Sequence, residues 1–260
     1  MKVLFVGDIV GRLGRRTVQT LLPAIRRETE AHLVIANGEN AAGGRGLTLT
    51  TAEELFDAGV DIITSGNHIW EHREIYPLLE GESPIIRPLN YPPGAPGHGL
   101  HVRNGVAVIN LIGRTFMGLD ADCPFRGADA ALADLQGSRV VIIDIHAEAT
   151  SEKVAMGWYL DGRVSAVIGT HTHVATADAH ILPKGTAFVC DVGMVGPLNS
   201  IIGMEIEPIV ERFLTQLPTR FSPVEKGPTI FNSVFLDIDD ATGRALRIER
   251  IDREVTKHGQ

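Results

Sequence analysis

Cysteine is scarce in this chain of 260 residues: only Cys123 and Cys190 occur, each isolated. They provide neither a disulfide framework nor a thiolate metal site. Basic blocks and basic stripes are also missing, and the formal charge is −8. That balance argues against non-specific coating of nucleic acid, so no stable nucleic-acid partner is expected. An anionic substrate stays open, because bound cations reverse the local potential. No apolar run approaches a membrane span, and Met1 precedes the first strand by one residue. No membrane partner and a cytoplasmic location are the expectations. Repeats and low-complexity tracts are lacking too.

What is present is an ordinary globular composition, 44% hydrophobic and 22% charged, long enough to bury a substantial core. A single domain over residues 1–260 is expected. The first half alternates strand and helix. Val3–Val6 precedes a helix from about Leu13 to Thr29, whose Leu21, Leu22 and Ile25 share a face. Leu33–Ala36 precedes a glycine-rich loop and a helix near Thr51–Ala58, and Asp61–Thr64 leads to the segment Glu74–Glu80. This rhythm implies a mainly parallel sheet covered by helices. The Pro/Gly-rich stretch Arg87–Gly99 reads as a connection across the molecule, since apolar strands resume at Val106–Leu111. Val140–Ile145, Ser151–Leu160 and Val164–Gly169 form a further strand–helix–strand unit. The tail reads as more antiparallel, with a hairpin of Ile181–Pro183 and Thr186–Cys190. A helix at Glu207–Gln216 follows, then a second hairpin of Val234–Ile238 and Ala245–Ile251.

The chemistry collects where strands end. His171-Thr172-His173 directly follows the apolar run Val164–Gly169. Two imidazoles one residue apart converge on one point if the backbone turns there, an arrangement suited to a metal. Asp8 ends the first strand, Glu39-Asn40 the second, Asn67-His68 the third, and His146 follows Val140–Ile145. Each has a plain reading in isolation: Asp8 a helix cap, Asn67 a turn residue, Glu39-Asn40 a loop start, His146 a core histidine. Five strand ends drawing on only Asp, Glu, Asn and His point instead to a dinuclear metal site, since ligands gather outside the carboxyl ends of strands in open α/β sheets. Two cations roughly 3.5–4 Å apart clamp phosphate oxygens and acidify a bridging water into a hydroxide for in-line attack. Glu39 is the expected bridge. His68, beside the ligand candidate Asn67, is placed to protonate the leaving oxygen without binding metal.

Other polar residues carry two readings each. Arg45 in Gly43-Gly44-Arg45-Gly46 either approaches a phosphate or belongs to a flexible turn. Arg114 either touches substrate or forms an ordinary salt bridge. Glu148 either orients His146 as its acceptor or favours the start of the next helix. Trp70 and Tyr91 either stack a base or pack. His72, His98, His101 and His180 read as surface or loop residues.

Gly7-Asp8, Gly38-Glu39-Asn40, Gly66-Asn67-His68, His146 and Gly169-Thr170-His171-Thr172-His173 together resemble the five-block signature of calcineurin-like metallophosphoesterases. Three positions depart from it. Val10 stands where the superfamily has a first-block His, Glu39 where it has a bridging Asp, and Ile69 where a carboxylate often follows the third-block His. With Ala41-Ala42-Gly43-Gly44 and the run Asp144–Lys153, this variant pattern resembles the bacterial YmdB-like branch along nearly the whole chain. The resemblance implies a four-layer α/β/β/α sandwich and a di-iron or di-manganese centre. It also implies phosphodiesterase activity on small cyclic nucleotides, 2′,3′-cyclic ones above all. It assigns Asp8, Glu39, Asn40, Asn67, His146, His171 and His173 as ligands and His68 as general acid. Val10 leaves one metal short of a nitrogen donor; Asn40 is expected to adjust the shell of the second metal rather than to replace that donor. A small phosphodiester is the expected partner, with homo-oligomerisation left open. The competing readings are a broad phosphomonoesterase or nuclease on the same centre, and a regulatory metal- or nucleotide-binding protein with little turnover. The missing His favours the last; the presence of His68 opposes it.

Overall fold

A computed structural model describes residues 1–135 and 137–256. Its strands are β1 (Lys2–Val6), β2 (Asp8–Ile9), β3 (Leu33–Asn37), β4 (Ile62–Thr64), β5 (Leu100–Arg103), β6 (Val106–Ile112), β7 (Val140–His146), β8 (Ala166–Thr170), β9 (His180–Ile181), β10 (Ala187–Val189), β11 (Met194–Pro197), β12 (Thr229–Phe231), β13 (Ser233–Ile238), β14 (Ala245–Arg250) and β15 (Arg253–Val255). Its helices are α1 (Gly11–Thr29), α2 (Leu49–Asp57), α3 (Tyr76–Glu80), α4 (Pro124–Asp134), α5 (Thr150–Leu160) and α6 (Ile206–Thr215).

The strand sequences explain the layering. Alternate residues of β1 and β3 diverge: Val3, Phe5, Leu33 and Ile35 face one cluster, while Leu4, Val6, Val34 and Ala36 face another. The first set packs against Val106 and Val108 of β6 and Val140 and Ile142 of β7, so two sheets meet face to face. The second set packs under Val18, Leu22 and Ile25 of α1 and Ala52 and Leu55 of α2. On the far side, Ala107, Ile109, Val141 and Ile143 pack under Ala128 of α4 and Met156 and Leu160 of α5. The result is an α/β/β/α sandwich. Strands buried on both faces read as unbroken apolar runs rather than alternating ones.

The first sheet has the order β14-β13-β1-β3-β4, with β1, β3 and β4 parallel. The second has the order β5-β6-β7-β8-β10-β9, with β6, β7, β8 and β10 parallel. The tail is therefore less antiparallel than its sequence suggests. Thr186–Cys190 supplies β10, which pairs antiparallel with β9 as expected but also runs parallel to β8. The β13–β14 hairpin forms as expected. The Pro/Gly-rich stretch joins β4, an edge of the first sheet, to β5, an edge of the second. Arg87 pins it by donating to the carbonyls of Pro88, Leu89, Ala95 and Pro96.

Hydrophobic periodicity does not announce helix α4, because its alanines and Gly127 give little contrast between faces; only Pro124 and Ala128 are buried. A small sheet of order β15-β12-β11-β2 leaves no sequence pattern either. Its strands span two to four residues, too short for alternation to show. Two of the four histidines read as surface or loop residues, His101 and His180, lie on strands β5 and β9. No helix among the described residues is long and apolar enough to cross a membrane.

Candidate metal centre

The carboxyl ends of β3, β7 and β8 face one another across the two sheets. Asn37, the last residue of β3, places its amide 3.3 Å from Asp144, 3.3 Å from His146 and 3.4 Å from Thr170. Every strand-end residue singled out in the sequence lies around this point or just above it. Close approach is permitted by glycine: a Cβ on Gly66 would sit 2.3 Å from His146 Nε2 and 2.4 Å from Glu39 Oε2. Any side chain there would displace the cluster.

Glu39 stands between two groups. On one side, its Oε1 is 3.0 Å from His146 Nε2, and His171 Nδ1 is 3.0 Å from that same nitrogen. Glu39, His146 and His171 thus bring three ligand atoms within 4.8 Å of one another. Glu39 Oε2 meanwhile accepts the backbone N–H of His68 at 3.1 Å. Toward the other group, the same Oε1 is 3.2 Å from the Asn40 amide, which lies 3.0 Å from His173 Nε2; Asp8 Oδ1 is 3.8 Å from that nitrogen and 4.0 Å from His146 Nδ1, so the two groups adjoin. Asn40 therefore lies against both Glu39 and His173. Val10 itself is buried and packs against Gly203 and Gly196.

His171 and His173 converge because the backbone does turn there, with φ of 103° and 65°. Such values are uncommon for residues with a Cβ and persist only when neighbours enforce them. The enforcement comes from Asp191, a residue with no sequence signal. Its Oδ2 accepts the Thr172 N–H at 3.0 Å and the Thr172 hydroxyl at 2.7 Å, and its Oδ1 accepts the Gly193 N–H at 2.8 Å. Buried Lys153 balances its charge at 2.8 Å and also donates to the Thr170 carbonyl at 3.3 Å. The Gly193 carbonyl in turn accepts the Asp8 N–H at 3.0 Å, so one ion pair braces both the histidine turn and the first strand end.

A second brace holds His146. Its Nδ1 lies 2.9 Å from Thr170 Oγ1, whose hydroxyl donates to Asp144 at 2.7 Å. With the hydroxyl proton spent on Asp144, Nδ1–H donates to Thr170 and Nε2 is left to face Glu39. Glu148 does not perform this task. Its carboxylate is 3.3 Å from His171 Nε2 instead, because it lies beyond the end of β7 and on the open side of the cluster.

The buried charges act on one another. Burial pushes Asp8 up to about 6, against the pull of His173 and His146. Burial also pushes Asp144 up, to about 7. Glu39 feels the same burial, yet the charge and hydrogen bond of His146 hold it well below the usual carboxylate range. Burial would discharge His146, but Glu39 and Asp8 outweigh it and raise the imidazole to about 9. Burial and the charge of His146 push His171 down to about 3. Burial lowers His68 too, opposed by Glu39.

Two buried side-chain oxygens in this cluster, Asp8 Oδ1 and Asn67 Oδ1, have no hydrogen-bond partner among the described residues. Orphaned buried oxygens are costly and call for an ion or water. Asp8 lies on the His173 side of Glu39, whereas Asn67 adjoins His68, whose N–H the other carboxylate oxygen accepts. The donor set is oxygen and imidazole throughout. The residues present therefore fit metal binding.

Of the two arginines considered for substrate, Arg45 lines the same cavity as Glu39, Asn40, His68 and His171. Arg114 lines a different one, of about 870 Å³, with Asn90 and Tyr91; its backbone N–H is held by Glu152. Trp70 packs edge-on against both Tyr76 and Tyr91, with centroids 5.7 and 5.3 Å apart. These rings pack against one another.

Comparison with known proteins bears on what this centre belongs to. The model of the family described as YmdB-like protein matches residues 4–251. The chain is 50% identical over 256 residues to the 2′,3′-cyclic-nucleotide 2′-phosphodiesterase of Bacillus subtilis, covering 96% of both chains. It is similar to the crystal structure of a hypothetical protein from Thermus thermophilus, with TM-score 0.92 and 46% identity over 98% of this chain and 100% of that one. A novel phosphatase from Mycoplasma pneumoniae gives TM-score 0.92 and 33% identity, over 98% and 94%. With all five strand-end blocks inside the matched span, the chain belongs to the YmdB-like family of calcineurin-like metallophosphoesterases.

Proposed function

We propose that the protein is a metal-dependent phosphodiesterase of small cyclic nucleotides, 2′,3′-cyclic ones first, working as one domain over residues 1–260. The observation that carries this reading is Glu39 in contact with both His146 and Asn40, in a cluster where Asp8 and Asn67 keep unpartnered buried oxygens. The name of the Bacillus subtilis relative supports the substrate class.

Asp8, Asn40 and His173 would hold one cation and Asn67, His146 and His171 the other, with Glu39 shared. Hard oxygen donors with imidazoles and no thiolate suit iron or manganese. When bound, such cations neutralise phosphate oxygens and acidify water. The protein's own groups do the rest. Asp191 and Thr170 fix the rings so that no reorganisation is needed at the moment of reaction. Arg45, on the wall of the same cavity, supplies a guanidinium for a phosphate oxygen. Hydrolysis adds water to phosphorus and breaks one P–O bond to the ribose. His68 gives its proton to the departing oxygen, while the proton of the attacking water passes to solvent. Burial lowers the proton affinity of His68, and the negative charge of a bound phosphate restores it.

Turnover of 2′,3′-cyclic AMP, 3′,5′-cyclic AMP, bis-p-nitrophenyl phosphate and p-nitrophenyl phosphate, with metal content measured alongside, tests the reading. Preference for the 2′,3′-cyclic diester with two metals per chain is the expected result. Faster hydrolysis of the monoester would make the protein a phosphomonoesterase. Full metal content with no turnover of any substrate would leave a binding protein.

A further inference from the structure

The cavity of about 540 Å³ that holds Glu39, His68, His171 and His173 has a second side with no part in the chemistry above. It is formed by Ile202, Met204, Ile209, Phe213 and Phe221, together with Arg212. Phe213 is 76% exposed and Phe221 37%. Two phenyl rings kept at the mouth of a charged cavity gain little for folding, since the core is complete without them.

The segment is held in place relative to the centre. The Ile202 carbonyl lies 2.8 Å from Nδ1 of His173, which leaves Nε2 of that ring directed at Asp8 and Asn40. Ile202 adopts φ 48° to make this contact. Behind it, Gly44 packs against Met204, where a Cβ would meet the Met204 methyl carbon at 3.1 Å. The apolar wall and the ligand cluster thus form two sides of one cavity.

The cavity therefore asks for a ligand with an anionic end and a flat apolar end a few bonds away. We infer that Phe213 and Phe221 form the base-recognition wall of the site, against which a purine or pyrimidine stacks while its phosphate lies at the ligand cluster. The choice of a nucleotide rests on the phosphodiesterase reading. The cavity's volume lies within the usual range of roughly 300–1,000 Å³ for small-ligand pockets. Every base has a π-face, so such a wall selects nucleotides over base-free phosphodiesters without selecting one base. Trp70 and Tyr91, the aromatics that sequence alone brings forward for stacking, are occupied with each other and with Tyr76.

The test compares 2′,3′-cyclic AMP with glycerol 1,2-cyclic phosphate, which carries the same kind of diester and no base. In the double variant Phe213→Ala/Phe221→Ala, kcat/KM for the nucleotide falls about ten- to a hundredfold, through KM. The value for the base-free diester stays within about twofold. An equal fall on both substrates, or no fall on either, would overturn the inference. Binding of 3′-AMP and inorganic phosphate, measured calorimetrically, separates it from the reading on which it rests. If neither diester is hydrolysed, the phosphodiesterase reading fails. The wall then stands if the wild type prefers 3′-AMP to phosphate and the variant does not, and it falls if the wild type shows no preference. Loss of an oligomer in the variant with nucleotide affinity intact would give the face to a second copy of the chain and overturn the inference.

Discussion

His146 projects from the end of a core strand and is held from behind by Thr170 and Asp144, all three fully buried. His173 sits on a left-handed turn and is held by a carbonyl from the segment that forms the apolar wall. The group around His146 is an extension of the sheet. The group around His173 shares the buried Asp191–Lys153 brace and in addition leans on the Ile202 segment, beside buried Asp8 and Asn40. The packed core therefore braces both groups, and only the second also relies on a surface segment. A cation in the first half should be retained more strongly than one in the second.

The largest effect comes from removing what the halves share. Glu39→Ala should empty both, with metal analysis showing loss of both cations. Turnover should fall further than the about 10²–10⁴-fold typical of a missing general acid. Retention of one cation at full occupancy would show that Glu39 belongs to one half only.

His68→Ala leaves both halves standing and removes only the proton. Metal content should be unchanged while turnover of a cyclic nucleotide drops by about 10²–10⁴. The loss should shrink for bis-p-nitrophenyl phosphate, whose leaving group departs without a proton. Metal loss in this variant would make His68 a ligand. Equal loss on both substrates would give it a positioning role.

The mildest test separates the halves by titration. Graded chelation should remove the cations in two steps and leave the far-UV circular dichroism nearly unchanged, since the sandwich core needs no metal. Reloading should release a proton. In the metal-free protein His146 is raised to about 9 and so is charged near neutrality, while a cation takes only the neutral ring. Affinity then rises with pH by up to about tenfold per unit until pH passes the raised value, and falls again below about 6, where Asp8 also holds a proton. His171, pushed down to about 3, contributes none. Calorimetry in buffers of different ionisation enthalpy reads the proton; its absence near neutrality would break the assignment of His146.

The residues that gather at the centre were legible because strand-end positions are local in sequence. Asp8, Glu39, Asn67, His146 and His171 each closely follow or end an apolar run, and a strand delivers its terminal residue to the same edge whatever surrounds it. Parallel strands under helices were legible for the same reason, since Val3–Val6 and Val140–Ile145 are unbroken apolar runs, whereas the four-layer sandwich was expected only from the family resemblance. Lys153, Asp191 and Ile202 were not legible. Their importance lies in partners 17 to 38 residues away or in a backbone carbonyl, for which side-chain identity carries no signal.

Sequence by itself determined the chemistry available: oxygen and imidazole donors without thiolates, placed by local strand and turn periodicity. Tertiary structure alone decided how those donors divide. It put Asn40 against His173, turned Glu148 toward His171, sent Arg114 to another cavity, and set two phenylalanines opposite the cluster. The physical reason is that a residue's type and spacing fix what it can bind, while the packing of two sheets and a surface segment against each other fixes what lies within reach.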